Sequence, residues 1–210
     1  MKGVILISGR GSNMRSIVEA GTGLDVRAVI SNRPEAKGLE WAASRRIETK
    51  VVDHKKFPTR EAFDAELSRA IDGYGPDLVV LAGFMRILTE GFIARYPLRI
   101  LNIHPSLLPS FPGLHTHARA LEAGVKVHGA TVHVVTPALD NGPIVVQGVV
   151  PVLAGDDEEL LAARVLEVEH RIYPEAIRWF VEGKVEFAGD VVQVRASGVS
   201  SDCLVSPRNA

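Results

Sequence analysis

The sequence is almost free of cysteine: its 210 residues include one, Cys203, near the C-terminus. A single cysteine has no partner within the chain, which excludes the disulfide framework of small secreted domains. Long apolar runs are also missing. No segment approaches the roughly 20 apolar residues of a membrane span, and the opening run at 2–7 is too short for a signal peptide. We therefore expect a cytoplasmic protein with no membrane partner.

An excess of charge of one sign is missing as well. The 24 lysines and arginines balance 25 aspartates and glutamates, which gives a formal net charge of -1. Nucleic-acid binding is favoured by a basic excess and membrane-surface binding by blocks of like charge, so neither partner is expected. Hydrophobic residues make up 46% of the chain, and its length allows one sizeable core. Small molecules are the expected partners.

The first half of the chain alternates apolar runs with helical patterns. The runs at 4–8, 78–82 and 99–104 are nearly continuous, as in parallel strands that are buried on both faces. Further strands are predicted at 26–31 and 49–53, with helices at 13–20, 36–46, 60–73 and 89–95. Repeated βα units with short connections predict an α/β fold with a Rossmann-like, doubly wound, mostly parallel sheet.

The pattern changes after His104. A proline-rich loop and a helix near 114–123 precede two strands, at 126–136 and 143–152, and the turn between these strands predicts an antiparallel pair. Asp156 is expected to cap a long helix, which Pro174 should interrupt or kink. Strands at 185–187 and 191–194 should form a terminal hairpin, so the C-terminal strands are antiparallel.

Asn102 and His104 end the predicted strand at 99–104, which Pro105 stops. Side chains alternate along a strand, so these two point to the same face, at the carboxyl end where open α/β sheets bind ligands. An amide donor beside a titratable donor suits an oxygen that becomes negative during acyl transfer. A strand end that anchors a neighbouring loop is the alternative interpretation.

A glycine-rich loop, Gly9–Asn13, lies between the first strand and the first helix. Its backbone N–H groups and the helix N-terminus suit a phosphate, although an ordinary turn capped by Ser12 fits equally well. A dinucleotide site is disfavoured because Met14 replaces the third glycine and because Ser31–Arg33 lacks the expected acidic residue. No Gly-Lys-Ser/Thr sequence follows, which excludes a Walker-type loop.

The remaining histidines and hydroxyl groups predict neither a metal site nor a covalent nucleophile. His115, His117, His128 and His133 have no cysteine or carboxylate that completes a metal set, so structural or substrate-contact roles are expected and no metal. No Gly-x-Ser-x-Gly elbow is present, which leaves covalent catalysis without a nucleophile. Asp140, in the turn 139–143, is of a type that raises the pKa of a nearby imidazole, but its distance from His104 is open at this stage.

Taken in order, these segments resemble the phosphoribosylglycinamide formyltransferases, also called glycinamide ribonucleotide transformylases. The resemblance covers most of residues 3–180. Its segments are 7–13, 80–88, 101–109, 111–117, 139–143 and 169–174. The Asn-x-His-Pro-Ser-Leu-Leu-Pro core is shared with other formyltetrahydrofolate enzymes, whereas the Gly-Ser-Asn loop and Pro-Gly-Leu-His-Thr-His are more specific to the purine enzyme.

The resemblance implies the formyltransferase fold and a role for each matching residue. Asn102, His104 and Asp140 match the catalytic trio. Gly11, Ser12 and Asn13 would hold the substrate phosphate and Glu169 the ribose hydroxyls. The positions for the co-substrate 10-formyltetrahydrofolate would be Arg60, Met85, Arg86, Ile87, Leu88 and Asn102, with residues 136–140 as a loop beside the pterin.

The implied reaction transfers the formyl group of 10-formyltetrahydrofolate to the amine of 5-phosphoribosylglycinamide, in purine biosynthesis. We expect one formyltransferase domain over 1–195, as a monomer or homodimer, and a disordered tail at 196–210. Residues 1–104 would be its phosphate-binding half and 105–195 the half with the folate loop and the long helix. A formyltetrahydrofolate hydrolase, another formyltransferase and a non-catalytic folate- or phosphate-binding module are the alternatives.

Overall fold

The fold is described by a computed structural model, which covers residues 1–189 and 191–195. Seven strands form one sheet in the order β3-β2-β1-β4-β5-β6-β7, and two more form a separate hairpin. The strands are β1 (Lys2–Ile7), β2 (Asp25–Ser31), β3 (Thr49–Val51), β4 (Leu78–Leu81), β5 (Ile100–His104), β6 (Val127–Val134), β7 (Ile144–Pro151), β8 (Val185–Ala188) and β9 (Val191–Val194).

Strands β1 to β5 are parallel, whereas β6 and β7 are antiparallel to their neighbours. The helices are α1 (Ser12–Glu19), α2 (Lys37–Ser44), α3 (Arg60–Asp72), α4 (Glu90–Arg95), α5 (Thr116–Glu122) and α6 (Glu158–Val181), with a short 3-10 helix at His54–Lys56. The fold class predicted from the sequence, a mostly parallel doubly wound sheet with antiparallel C-terminal strands, is confirmed. The predicted tail at 196–210 and Cys203 lie outside the described residues.

The core has two parts, one on each face of the sheet. Alternation along β1 sends Ile5 and Ile7 to the face covered by α1, α2, α5 and α6, and Val4 and Leu6 to the face covered by α3 and α4. All four side chains are fully buried. Because the sheet is covered on both faces, its carboxyl edge, where β1, β4 and β5 end side by side, is left to form a site.

The N-cap predicted for α6 was wrong, and so was the interruption of this helix, one of the two effects expected at Pro174. Its N-cap is Asp157, whose carboxylate accepts from the Leu160 N–H, whereas Asp156 accepts from the Leu153 N–H and pairs with Arg164. The helix also continues through Pro174 for seven further residues, to Val181. Pro174 is buried between core residues of this helix, and packing against the sheet offsets the backbone hydrogen bond that proline cannot donate.

Candidate active site

Asn102 and His104 lie on one face at the end of β5, as the alternation predicts. The antiparallel register with β6 places Asn102 opposite His133 and His104 opposite Thr131. His104 is 6% exposed and Asn102 is partly buried. Two donor side chains are therefore held by a central strand whose position the sheet fixes on both sides.

Both ring nitrogens of His104 face an oxygen of the protein. Nε2 lies 3.0 Å from the backbone oxygen of Phe111, and Nδ1 lies 3.5 Å from Oδ2 of Asp140. A carbonyl can only accept, so Nε2 is the donor to Phe111, while the Asp140 carboxylate faces Nδ1 at ion-pair distance. An oxygen on each side therefore fixes the orientation of the His104 ring.

Asp140 comes from the loop between β6 and β7, so the structure brings it to His104 as the resemblance implies. Its Oδ2 also accepts a hydrogen bond of 2.8 Å from the Gly113 N–H, and its side chain is 10% exposed. The backbone at Asp140 is left-handed, with φ 49°. The contact with Gly113 connects Asp140 to the proline-rich loop that also carries Phe111, so one carboxylate positions both sides of His104.

His133 belongs to the same cluster, although sequence reasoning assigned it no catalytic role. Its Nδ1 lies 3.1 Å from the Val134 carbonyl and its Nε2 3.1 Å from Asn102 Nδ2. Burial lowers the pKa of His133 below 6.5, against the opposing effects of Val134 and Asp140. The neutral ring thus donates from Nδ1 and accepts at Nε2, which fixes the Asn102 amide with its nitrogen toward His133.

The glycine loop is supported by a close contact with another glycine, Gly38 of α2. Gly11 is the N-cap of α1 in the left-handed region, with φ 71°, so the helix is capped by backbone rather than by Ser12. A Cβ on Gly38 would lie 2.6 Å from Ile7 Cδ1 and 3.2 Å from Gly11 Cα, and the Gly38 N–H donates to the Gly9 carbonyl. Gly38, at the start of α2, is thus a support that the sequence did not reveal.

Asn13 and Glu169 form a buried pair beside this loop. Asn13 Nδ2 donates to Glu169 Oε2 over 2.7 Å, and the two residues are 7% and 8% exposed. Burial raises the pKa of Glu169 above its usual value of 4.5, although the bond from Asn13 acts in the opposite direction. Among the described residues Asn13 Oδ1 has no hydrogen-bond partner. A buried carboxylate and a free amide oxygen can both accept from ligand hydroxyl groups.

The loop after β4 lies on the other side of the cluster and exposes apolar side chains. Met85 and Ile87 are 61% and 59% exposed, whereas Leu88 is buried. The Arg86 guanidinium lies 5.6 Å from the centre of the Phe63 ring of α3. Arg60 is exposed in the first turn of that same helix, which brings the predicted folate positions to one side of the sheet edge.

Two of the other histidines, His117 and His128, pack against each other. The rings of His117 and His128 meet edge to face with centres 5.3 Å apart, and His128 also packs against Phe111. Burial lowers the pKa of His128 to about 4. Within residues 1–189 and 191–195, no group of three or more His, Cys, Asp or Glu side chains is arranged to hold a metal ion.

Known proteins are similar to this chain in sequence and in fold. A phosphoribosylglycinamide formyltransferase from Escherichia coli K12 is 52% identical over 190 residues, which cover 87% of this chain and 88% of that protein. The crystal structure of glycinamide ribonucleotide transformylase 1 from Symbiobacterium toebii superposes with a TM-score of 0.89 at 47% identity, over 92% of this chain and 93% of that one.

A formyltetrahydrofolate deformylase from Pseudomonas syringae pv. tomato is more distant, with 31% identity and a TM-score of 0.85. The match covers 92% of this chain and 65% of that one. Among the described helices, none is both long and apolar enough to cross a bilayer. The family model described as formyl transferase matches residues 1–177, and the chain belongs to that family.

Proposed function

We propose that this chain is a phosphoribosylglycinamide formyltransferase, which transfers the formyl group of 10-formyltetrahydrofolate to the amine of 5-phosphoribosylglycinamide in the cytoplasm. The products are formylglycinamide ribonucleotide and tetrahydrofolate. The observation that carries the proposal is the His104–Asp140 pair beside Asn102, between the glycine loop and the apolar loop after β4. When two substrates are held at one sheet edge, their relative orientation supplies much of the rate acceleration.

The ribonucleotide binds on the α1 side. Gly11, Ser12 and Asn13 present backbone N–H groups and the positive end of the α1 dipole to its phosphate. Glu169, whose carboxylate lies beside Asn13, accepts hydrogen bonds from the ribose hydroxyls. This arrangement directs the glycinamide amine toward the end of β5.

The formyl donor binds on the α3 side. The exposed side chains of Met85 and Ile87 give the folate ring an apolar surface, with Leu88 beneath them and the Asn102 amide at its inner end. Arg60 and Arg86 supply positive charge for the carboxylates of the folate tail. Residues 136–140, which end in Asp140, form the outer edge of the pterin site.

The free-base amine attacks the formyl carbon, and a C–N bond forms as the carbonyl oxygen becomes an oxyanion. Asn102 donates its second amide hydrogen to that oxygen, since the first is held by His133. His104 donates as the imidazolium, which Asp140 stabilises. The amine proton passes by way of water to the folate nitrogen as the bond from that nitrogen to the formyl carbon breaks.

The hydrogen bond from His104 Nε2 to the Phe111 carbonyl adds a condition to this mechanism. The developing oxyanion must compete with that carbonyl as the acceptor for the Nε2 proton. Phe111 has a left-handed backbone, with φ 53°, a conformation that costs a residue with a side chain some free energy.

Hydrolysis of the formyl donor is the second candidate, favoured by the shared fold of the deformylase. Incubation of the protein with 10-formylfolate, with and without the ribonucleotide, separates the two while absorbance reports the deformylated folate. We expect product with both substrates and none when the ribonucleotide is omitted. Equal rates without the ribonucleotide would indicate a hydrolase, and no product under either condition would indicate a binding module.

A further inference from the structure

In the loop 83–88, the side chains of Phe84 and Leu88 are buried in the core, whereas those between them are not. Met85 and Ile87 point outward, and an exposed apolar side chain gains little from folding. Hydrogen bonds to the backbone of this loop therefore add to the hold that Phe84 and Leu88 provide. Two buried side chains from outside the loop supply them, one near each end.

The far end is held by Asp64 of α3, which is 3% exposed. Its Oδ2 accepts a hydrogen bond of 2.6 Å from the Thr89 N–H, directly after the loop. The near end is held by Ser8, the residue after β1, which is 5% exposed. The Met85 N–H donates to the Ser8 hydroxyl over 2.8 Å, and the Ser8 N–H donates to the Gly83 carbonyl over 3.1 Å.

The direction of the Ser8 hydroxyl is fixed by a third residue. Its proton is donated to Oδ1 of Asn32 over 2.6 Å, and Asn32, at the end of β2, is 1% exposed. With the proton committed to Asn32, a lone pair of the Ser8 oxygen faces the Met85 N–H. A buried chain of hydrogen bonds thus runs from the end of β2 through the end of β1 to the loop after β4.

We propose that Ser8 is a positioning residue for the formyl donor: its hydroxyl holds Met85, and with it the loop 83–88, in the conformation that receives the folate ring. The inference rests on the proposed function because it takes this loop as the folate side. Ser8 directly precedes the glycine loop, yet its side chain points to the other substrate's loop. Its backbone bond to Gly83 stays when the hydroxyl is removed, so the glycine loop keeps its place.

The test is Ser8→Ala, read by steady-state kinetics with each substrate varied in turn. We expect the KM for the formyl donor to rise about fivefold to tenfold, the effect of one lost hydrogen bond, and the KM for the ribonucleotide to stay within about twofold. Ser8→Thr keeps the hydroxyl and should restore most of the affinity. Asn32→Leu, which removes the acceptor but not the hydroxyl, should raise the same KM by less than Ser8→Ala.

Thr22→Val is the matched control. Thr22 is 5% exposed and its hydroxyl accepts from the Leu24 N–H, so the substitution also removes a buried hydroxyl bonded to backbone, but far from both loops. It should lower thermal stability without moving either KM. If Ser8→Ala behaves like Thr22→Val, the hydroxyl is merely structural and the inference is overturned. An equal rise in both KM values overturns it as well.

A second measurement does not depend on catalysis. Hydrogen exchange of the Met85 amide should speed up in Ser8→Ala and remain as in the wild type in Thr22→Val. Unchanged exchange in Ser8→Ala contradicts the inference while leaving the proposed function intact. Absence of formyl transfer in the wild type contradicts the proposed function, whereas the exchange result still decides whether Ser8 holds the loop.

Discussion

His104 Nδ1 and Asp140 Oδ2 lie 3.5 Å apart, although His104 ends the central strand β5 and Asp140 belongs to the turn that follows the next strand, β6. The Gly113 N–H holds the same carboxylate oxygen from a third segment. A carboxylate held beside the ring in this way orients the imidazole. The reactivity of His104 therefore depends on the loop that carries Asp140.

Replacement of His104 by alanine should remove a donor to the oxyanion without removing a substrate contact made in the ground state. We expect His104→Ala to lower kcat by about 10²–10³-fold, the usual effect of losing one such donor. Both KM values should change little. A change confined to KM, measured by steady-state kinetics with each substrate varied, would show that His104 binds rather than catalyses.

His133 orients Asn102 by accepting from its amide, and burial keeps the ring neutral by lowering its pKa. His133→Leu leaves the amide free to turn, so kcat should fall about tenfold, the equivalent of one hydrogen bond, and less than in His104→Ala. The alternative role, in which His133 only fills space, predicts an unchanged kcat, since leucine has a similar volume. Kinetics of the two variants side by side decides between these roles.

The ionised Glu169 carboxylate should lower the free energy of unfolding at neutral pH, because burial raises the pKa of this group in the folded protein. The folded state then binds the proton more tightly than the unfolded state, so stability is lost as the pH rises above 4.5. Glu169→Gln keeps an oxygen for Asn13 but removes the buried charge. We expect a higher Tm than wild type at about pH 7 and nearly equal Tm values at about pH 4.

The same substitution separates function from stability. If Glu169 holds the ribose, Glu169→Gln should raise the KM for the ribonucleotide about tenfold, since a hydrogen bond to a charged group is stronger than one to an amide. The KM for the formyl donor should stay the same. A Tm below that of the wild type at neutral pH would contradict the electrostatic argument, whatever the kinetics show.

Gly38 leaves no room for a side chain between α2 and the glycine loop. Gly38→Ala should push Ile7 and Gly11 away from α2 and displace the backbone that is proposed to receive the phosphate. We expect the KM for the ribonucleotide to rise more than the KM for the formyl donor. Gly91→Ala is the control, since a Cβ there meets nothing within 4 Å. Equal effects on both KM values would mean that Gly38 supports the fold rather than the phosphate site.

Much of the fold could be predicted from the sequence because parallel strands buried on both faces, such as β1 and β4, carry unbroken apolar runs. The predictions that were wrong concern features that tertiary contacts determine. Asp156 and Asp157 are equally good caps by type, and the ion pair with Arg164 determines which of them is free to cap α6. Pro174 is tolerated inside the helix because the residues around it are buried.

Prediction of the site residues from the sequence has the same limit. Strand alternation alone placed Asn102 and His104 side by side, because that rule needs no knowledge of distant residues. The contact of His133 with Asn102 depends on the antiparallel register between β5 and β6, which periodicity does not determine. Gly38 and Ser8 act through segments that meet after folding, so no local pattern marked them.

The most direct test of the central claim follows the formyl group itself. The wild-type protein is given 10-formyltetrahydrofolate with an isotopic label in the formyl carbon, together with 5-phosphoribosylglycinamide, and the labelled products are separated. We predict that the label appears in formylglycinamide ribonucleotide and that transfer falls about 10²–10³-fold in His104→Ala. Label released as formate at the same rate with or without the ribonucleotide would contradict the account.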